Sequence, residues 1–447
     1  MSERTADALE RPAPEAAPAP VPGRDAGRLG RWWRMGPAMD GRAVTMTAGL
    51  MAVVALLGAV TPLATDMYTP SLPEIATDLG VTSAHVQSTV ALYMVGMAVG
   101  QLFWGPLSDR FGRRRPLLVA SALFVLSSVG AAAAPSIGLL IAARFLQGFT
   151  GSVGITMGKA LARDLSNGVR LGQVLSLLGV ITGLAPIVAP VLGGVLAEPI
   201  GWRGIMWVLA GIAVALLTGC AGLVSESLPP GRRRSGEEAG WLRRSARSVL
   251  TDRMFLGYTL AQAFGCGVLF AFISGSAIVI ENQYGLRPLQ YSLVFALNAV
   301  VMIIGGLLNS RLIVRHAPRR VLAGALALSL AASLVAAALA ALTGQPPLWL
   351  LMVVIAFASL ANGPIMANTT ALALEPHGAN AGMAAAVQGA VQALFAGVAA
   401  QLVAVGGEAT AASMTAVMGG AAVLAAVSYL VLCTRPQRSA VPQGAGA

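Results

Sequence analysis

Charge is what this sequence has least of. Only 11% of its 447 residues are Asp, Glu, Lys or Arg, against 56% that are hydrophobic. A soluble domain carries roughly a quarter charged residues, and a water-facing surface needs them. With a mean hydropathy of +0.73, this deficit excludes an ordinary soluble protein and points to a chain embedded in a bilayer. Cysteine is scarce as well. Cys220, Cys266 and Cys433 each sit in an apolar run and no pair has ligand spacing, so neither a disulfide framework nor a zinc site is expected. His85, His316 and His377 form no cluster, and no metal or cofactor is expected. There is no G-x-x-x-x-G-K-[ST] to cradle a nucleotide, which argues against ATP-driven work by this chain. No nucleophile-elbow G-x-S-x-G stands in a suitable context either, so no enzymatic activity is expected.

What is present is long apolar runs. A bilayer core of about 30 Å takes about 20 residues of helix. Twelve runs qualify: 45–66, 85–105, 116–134, 137–160, 171–197, 202–224, 254–280, 289–312, 321–342, 348–372, 381–405 and 410–433. The basic residues test this map. With the N-terminus placed inside, twenty-six of the thirty Lys and Arg fall in the tails and in alternate loops, and only Arg203 and Arg287 fall on the other side. Arg144 and Lys159 lie within a run. Such a bias sets orientation, with both termini cytoplasmic. The scatter of basic residues over every inside loop also removes a nucleic-acid reading of the net charge of +11.

The longest interior connection follows the sixth run and divides the chain six plus six. The expected domains are a disordered Pro- and Ala-rich cytoplasmic tail over 1–42, a six-helix bundle over 43–224, a cytoplasmic linker over 225–253, a second bundle over 254–434 and a tail over 435–447. Traces of repetition join the halves. A shift of 201 positions brings Gly105-Pro-Leu-Ser-Asp-Arg110 onto Gly306-Leu-Leu-Asn-Ser-Arg311, and a shift of 212 brings Phe145 and Gly151 onto Phe357 and Gly363.

The stretch Gly105-Pro-Leu-Ser-Asp109-Arg110-Phe-Gly112-Arg113-Arg114 resembles the loop 2–3 signature of the major facilitator superfamily, G-x-L-a-D-r-x-G-r-k, without departure. Leu140-Ile-Ala-Ala-Arg144-Phe-Leu-Gln147-Gly148 resembles the span-four signature of proton-coupled members. Ala189-Pro190-Val-Leu-Gly193-Gly194 resembles the span-five signature of exporters, with Ala185 and Ala189 where that pattern prefers glycine. Within the superfamily the chain is most similar to Bcr/CflA-type drug-resistance transporters, through Thr65-Asp66-Met67-Tyr68-Thr-Pro70-Ser-Leu-Pro73, Ala185-Pro186-Ile-Val-Ala-Pro190, Phe295-Ala-Leu-Asn298 and Asn309-Ser310-Arg311. The resemblance implies an all-α integral membrane protein with twelve helices in two pseudo-symmetric six-helix bundles. It also implies alternating access and proton-driven export of small drug-like molecules across the inner membrane. A monomer in the lipid bilayer, with protons as the coupling ion and no nucleic-acid partner, is expected. A transporter of a natural metabolite, such as an amino acid, peptide or siderophore, stays open as the alternative.

Several residues carry chemistry on their own account. Asp66 is the carboxylate placed at a span in the first half. Burial disfavours a carboxylate's charged form, so such a group can bind and release protons; the alternative is a helix-end residue that bonds backbone. Arg144 stays charged and needs a partner, water or a route to the surface. Gly183, Pro186, Pro190, Gly193 and Gly194 make span five a candidate gating helix, since small residues permit close approach and prolines free carbonyls. Gly105, Asp109, Arg110, Gly112 and Arg113 form a candidate latch between the bundles. Tyr93, Met97, Gln101, Gln262, Phe264, Phe270, Asn298 and Asn362 are candidates for a mostly apolar substrate cavity. Glu281, at the outer end of span seven, is expected to face water.

Overall fold

The computed structural model describes residues 47–166, 168–228, 246–405 and 407–434. The expected tails 1–42 and 435–447, much of the 225–253 linker and the side chain of Lys159 lie outside the described residues. All regular structure among the described residues is helical.

The apolar runs fold as expected because a chain in lipid must satisfy its backbone within each segment. The helices are α1 (Ala48–Asp66), the short α2 (Leu72–Asp78), α3 (Ser83–Phe111), α4 (Arg114–Ala132) and α5 (Ile137–Leu165). Gly168–Leu223 is continuous helix except at Gly201, where φ of +64° breaks it into α6 (168–200) and α7 (202–223). Then follow α8 (Arg253–Ile278), α9 (Pro288–Leu312), α10 (Pro318–Thr343), α11 (Leu348–Leu374), α12 (Ala381–Leu402) and α13 (Ala411–Cys433). Eleven helical stretches are long and apolar enough to cross a membrane, and one of them, Gly183–Leu223, holds the Gly201 break. Twelve crossings result, with α2 lying between α1 and α3 as a short extra turn. The helices α3 and α5 run about a turn beyond the expected spans, because the polar residues at their ends favour water and need not stop the helix.

Alternate connections gather at opposite ends. Gly80, Gly201, Gly285, Gly344 and Gly407, all with positive φ, mark one end; Gly112, with φ of +88°, marks the other. Ion pairs respect this division. Arg203 at the start of α7 pairs with Asp78 at the end of α2, and His377 after α11 lies 3.1 Å from Asp252 before α8.

Within the first half the closest partners are α3 and α5. A Cβ on Gly96 would land on the Phe145 carbonyl, one on Gly100 on the Phe149 carbonyl, and one on Gly148 on the Tyr93 carbonyl. The two backbones therefore touch, as small residues allow. The corresponding pair in the second half, α9 and α11, is joined in the same way by Gly305 and Gly363. The halves meet through α3 against α12 and α6 against α9. Large apolar side chains such as Leu126, Leu297, Leu307 and Trp349 remain exposed around the outside, where a soluble protein would be aggregation-prone and a bilayer supplies the partner.

Candidate functional site

A cavity of ≈ 170 Å³ lies where the halves face each other. Helix α1 contributes Thr61, Pro62, Thr65 and Asp66, α3 contributes Met94 and Met97, and α6 contributes Pro186. From the other half come Leu269, Phe270, Phe272 and Ile273 of α8, and Phe295, Asn298, Ala299 and Met302 of α9. The wall is apolar apart from two threonines, one amide and one carboxylate. A flexible, polarizable lining of Met and Phe accepts varied apolar shapes.

Asp66 ends α1 because Pro70 and the turn at Thr69–Ser71 follow, redirecting the chain into α2. The Thr69 hydroxyl donates to its carbonyl at 2.7 Å, and the Thr65 side chain lies beside its carboxylate. Asp66 is 4% exposed. Arg144 is fully buried among α1, α3 and α5. Its Nη1 donates to the Ala64 carbonyl at 2.8 Å and to Gln147 Oε1, and Gln147 in turn donates to Ser128 at 2.8 Å. The guanidinium stands 4.2 Å from the Tyr68 ring centroid and 4.5 Å from that of Tyr93. Nε and Nη2 have no partner among the described residues. Asp66 and Arg144 form no ion pair, so two tyrosine faces and a carbonyl hold the cation. Arg144 neither reaches an aqueous surface nor lines the cavity.

The other expected cavity residues divide three ways. Met97, Phe270 and Asn298 line the cavity. Tyr93 faces Arg144, and Phe264 packs on Phe395 with ring centroids 4.6 Å apart. Gln101 reaches across to Gly389 of α12, where a Cβ would collide with it. Gln262 anchors an amide cluster in the second half: its Oε1 accepts from Gln388 at 2.7 Å, Thr369 at 2.9 Å and Thr370 at 3.0 Å, and its Nε2 donates to Gln392 at 2.8 Å. Asn362 donates to the Gly265 carbonyl at 3.1 Å. Thr61, Thr65 and Phe295 were missed as cavity residues, although Thr61 and Thr65 stand four apart, a spacing that puts them on one face of α1, and Thr65 directly precedes Asp66.

At the Gly112 end, Arg113 donates to Asp109 at 2.7 Å, to Ser108 at 2.6 Å and to Asp164 of α5 at 3.2 Å. Glu226, just after α7, accepts the Arg113 amide at 2.8 Å and sits where a Cβ on Gly112 would be. Gly112 is thus required twice, by its positive φ and by this carboxylate. Arg114 donates to the Val224 and Ala221 carbonyls at 2.9 and 3.0 Å, stabilising the end of α7. Arg110 is exposed beside Phe111, and Gly105 has open space at its Cβ position. Apart from Glu226 at the start of the linker, the named partners belong to the first half, and the cluster ties α3, α4, α5 and α7 together. In α6 the backbone stays helical through Pro186 and Pro190. Gly193 abuts the Met67 carbonyl, Gly194 abuts Ser292 of α9, and Gly183 faces open space.

A family model described as Major Facilitator Superfamily matches residues 54–396. The chain is 37% identical over 387 residues to an uncharacterised MFS-type transporter, YdgK, of Bacillus subtilis, covering 86% of this chain and 94% of that one. It is 34% identical to a bicyclomycin resistance protein homolog of Haemophilus influenzae, covering 86% and 96%. Among solved structures it is similar to a bacterial homolog of the human lysosomal transporter Spinster, in an inward-facing and occupied conformation, with a TM-score of 0.66 at 14% identity, covering 86% of this chain and 96% of that chain. That likeness concerns the fold.

Proposed function

The chain belongs to the Major Facilitator Superfamily, and on that premise we propose that it exports small drug-like molecules from the cytoplasm in exchange for protons. The observation that carries this reading is Asp66, the carboxylate on the wall of an otherwise apolar cavity between the two halves. The name of the Haemophilus influenzae relative supports drug export. In this reading both termini and the Gly112 end are cytoplasmic, in the inner membrane, and the halves 43–224 and 254–434 rock about the cavity as a monomer.

Proton exchange then works through Asp66. With the cavity open to the cytoplasm, substrate enters and the carboxylate gives up its proton. With the cavity open outward, a proton returns to Asp66 and substrate leaves. Arg144 sets the field near Asp66 while the tyrosines hold it in place. The Asp109–Arg113–Asp164 cluster with Glu226 keeps the cytoplasmic end of the first half rigid, and α6 flexes against α9 through Gly194.

The test is purified protein in proteoliposomes with an internal pH dye, after a drug panel in a sensitive host has supplied a substrate. The expected result is substrate-driven proton movement in the native chain and none with Asp66→Asn. Full proton coupling in Asp66→Asn would overturn Asp66 as the coupling site. Unchanged drug tolerance across the panel would move the substrate to a natural metabolite.

A further inference from the structure

The sequence places Glu281 in water, at the end of an apolar run. The structure leaves it half-buried, with one carboxylate oxygen drawn inward. Helix α8 finishes as a π-turn, Val279–Gln283, and the wider turn carries Glu281 toward the seam between the halves. Its Oε1 is fully buried and no described residue donates to it. Turns of this kind are rare and concentrate at functional positions.

The seam at this end is closed. Ser88 of α3 donates to Gln401 of α12 at 3.0 Å. Gly194 of α6 abuts Ser292 of α9, and α2 and the Thr69–Ser71 turn pack on α8. The groups around Glu281 offer it no positive charge. Glu74 of α2 lies within electrostatic reach and accepts the Trp202 amide at 3.2 Å. Arg203 of α7 is engaged by Asp78. On α9, Arg287 is exposed at the helix start, and the Tyr291 hydroxyl lies 3.2 Å from Ser276. Tyr284 donates to the Pro346 carbonyl at 2.6 Å. Asp66 and Tyr68 stand further along the seam at the end of α1, and Tyr68 is paired with Thr89 at 3.0 Å. An ionised carboxylate with a buried oxygen, no donor and another carboxylate across the seam is unfavourable; a protonated one is not.

We propose that Glu281 is a second proton-binding site, located at the gate of the Gly80 end, which holds a proton while that gate is closed and repels Glu74 when it loses the proton. This rests on the proton-coupled reading and orientation given above, and adds a group in the second half to Asp66 in the first. Because the gate faces the external medium, Glu281 exchanges its proton with that medium as the gate opens and closes. The sign follows from the arrangement: the closed gate is favoured at low external pH and lost as pH rises.

The test reads the gate without transport. Ser71 is buried in the Thr69–Ser71 turn that packs on α8 and α9, and Ser71→Cys changes little in size. The native cysteines are buried, and the chain without Ser71→Cys serves as the control. Labelling by a membrane-impermeant maleimide, in full-length protein in right-side-out vesicles, is taken at each pH relative to the same protein unfolded, which removes the rise in thiolate with pH, and this ratio is expected to rise by roughly tenfold from about pH 6 to about pH 8. Glu281→Gln is expected to flatten this profile at the low level, Glu281→Asp to retain it and Asp66→Asn to retain it. An unchanged profile in Glu281→Gln overturns the proposal. A second measurement needs no substitution: a hydrophobic carbodiimide adds to protonated carboxyl groups, and mass spectrometry of the native chain is expected to find the adduct on Glu281 at low pH and to lose it at high pH. Absence of that adduct at low pH also overturns the proposal. Failure of the antiport reading looks different: no substrate-driven proton movement, with the Glu281-dependent gate profile intact.

Discussion

No carboxylate bonds Arg144 directly, although Asp66 feels its charge, and its two tyrosines fit a planar cation. Cation–π contacts are worth about 0.5–2 kcal/mol each, more when water is excluded. A lysine offers a point charge and no planar fork. Arg144→Lys is therefore expected to lower stability in detergent by about 1–4 kcal/mol, read as a lower unfolding temperature, with Asp66-dependent proton coupling weakened further. An unchanged unfolding temperature would show that the rings do not hold the guanidinium. Asp66 and Arg144 were both legible as chemistry-bearing residues, because a charge inside an apolar run needs a reason. What each one touches was not legible. The sequence, in which 77 positions lie between Asp66 and Arg144, carries no record of the Ala64 carbonyl, Tyr68 and Tyr93 converging on one guanidinium.

Helices in lipid lack a hydrophobic force between them and rely on close fit. The fit of α3 on α5 depends on Gly96, Gly100 and Gly148, each facing a carbonyl of the other helix. Gly148→Ala would place a methyl on the Tyr93 carbonyl and separate the helices, at a cost of about 1–3 kcal/mol as for other overpacked sites. Reduced yield of folded protein in a thermal shift or detergent-extraction assay checks it. Gly211→Ala, with open space at its Cβ position, is the control expected to be silent. The loop signature shows a comparable economy. Its arginines satisfy the orientation bias, while Gly112, Asp109 and Arg113 build a capped junction with Asp164 and Glu226. The sequence signalled the junction but not its partners, which come from the ends of α5 and α7.

For the whole molecule, closure at the Gly80 end is the state described, with α3 against α12 along much of their length. A Cβ built on Gly397 lies 3.2 Å from the Met94 Cβ and 2.8 Å from the Ala91 carbonyl oxygen, so a small outward shift of α12 brings the pair to the spacing of about 3.5–4.5 Å that a disulfide requires. The pair Met94→Cys with Gly397→Cys is expected to stop transport when oxidised and to recover on reduction, because the proposed alternating access requires this seam to part. Retained transport by the cross-linked form would sink the rocking description. The Glu281 gate belongs to this scale too, since its chemistry exists only when two halves meet.

The sequence by itself determined the membrane class, the twelve helices, the six-plus-six division and the family. Those follow from apolar run lengths, which the bilayer thickness fixes, and from a signature short enough to be contiguous. It also marked Asp66, Arg144, Met97, Phe270 and Asn298 as residues of interest. Only the tertiary structure decided that Asp66 faces a cavity, that two rings clasp Arg144, that the signature arginines bond within one half, and that Glu281 turns inward. The physical reason is that hydropathy records how much apolar surface a helix has, and not which neighbour each face meets. A π-turn of five residues rotates Glu281 with no change in composition, so the burial of its Oε1 is a property of the packed halves.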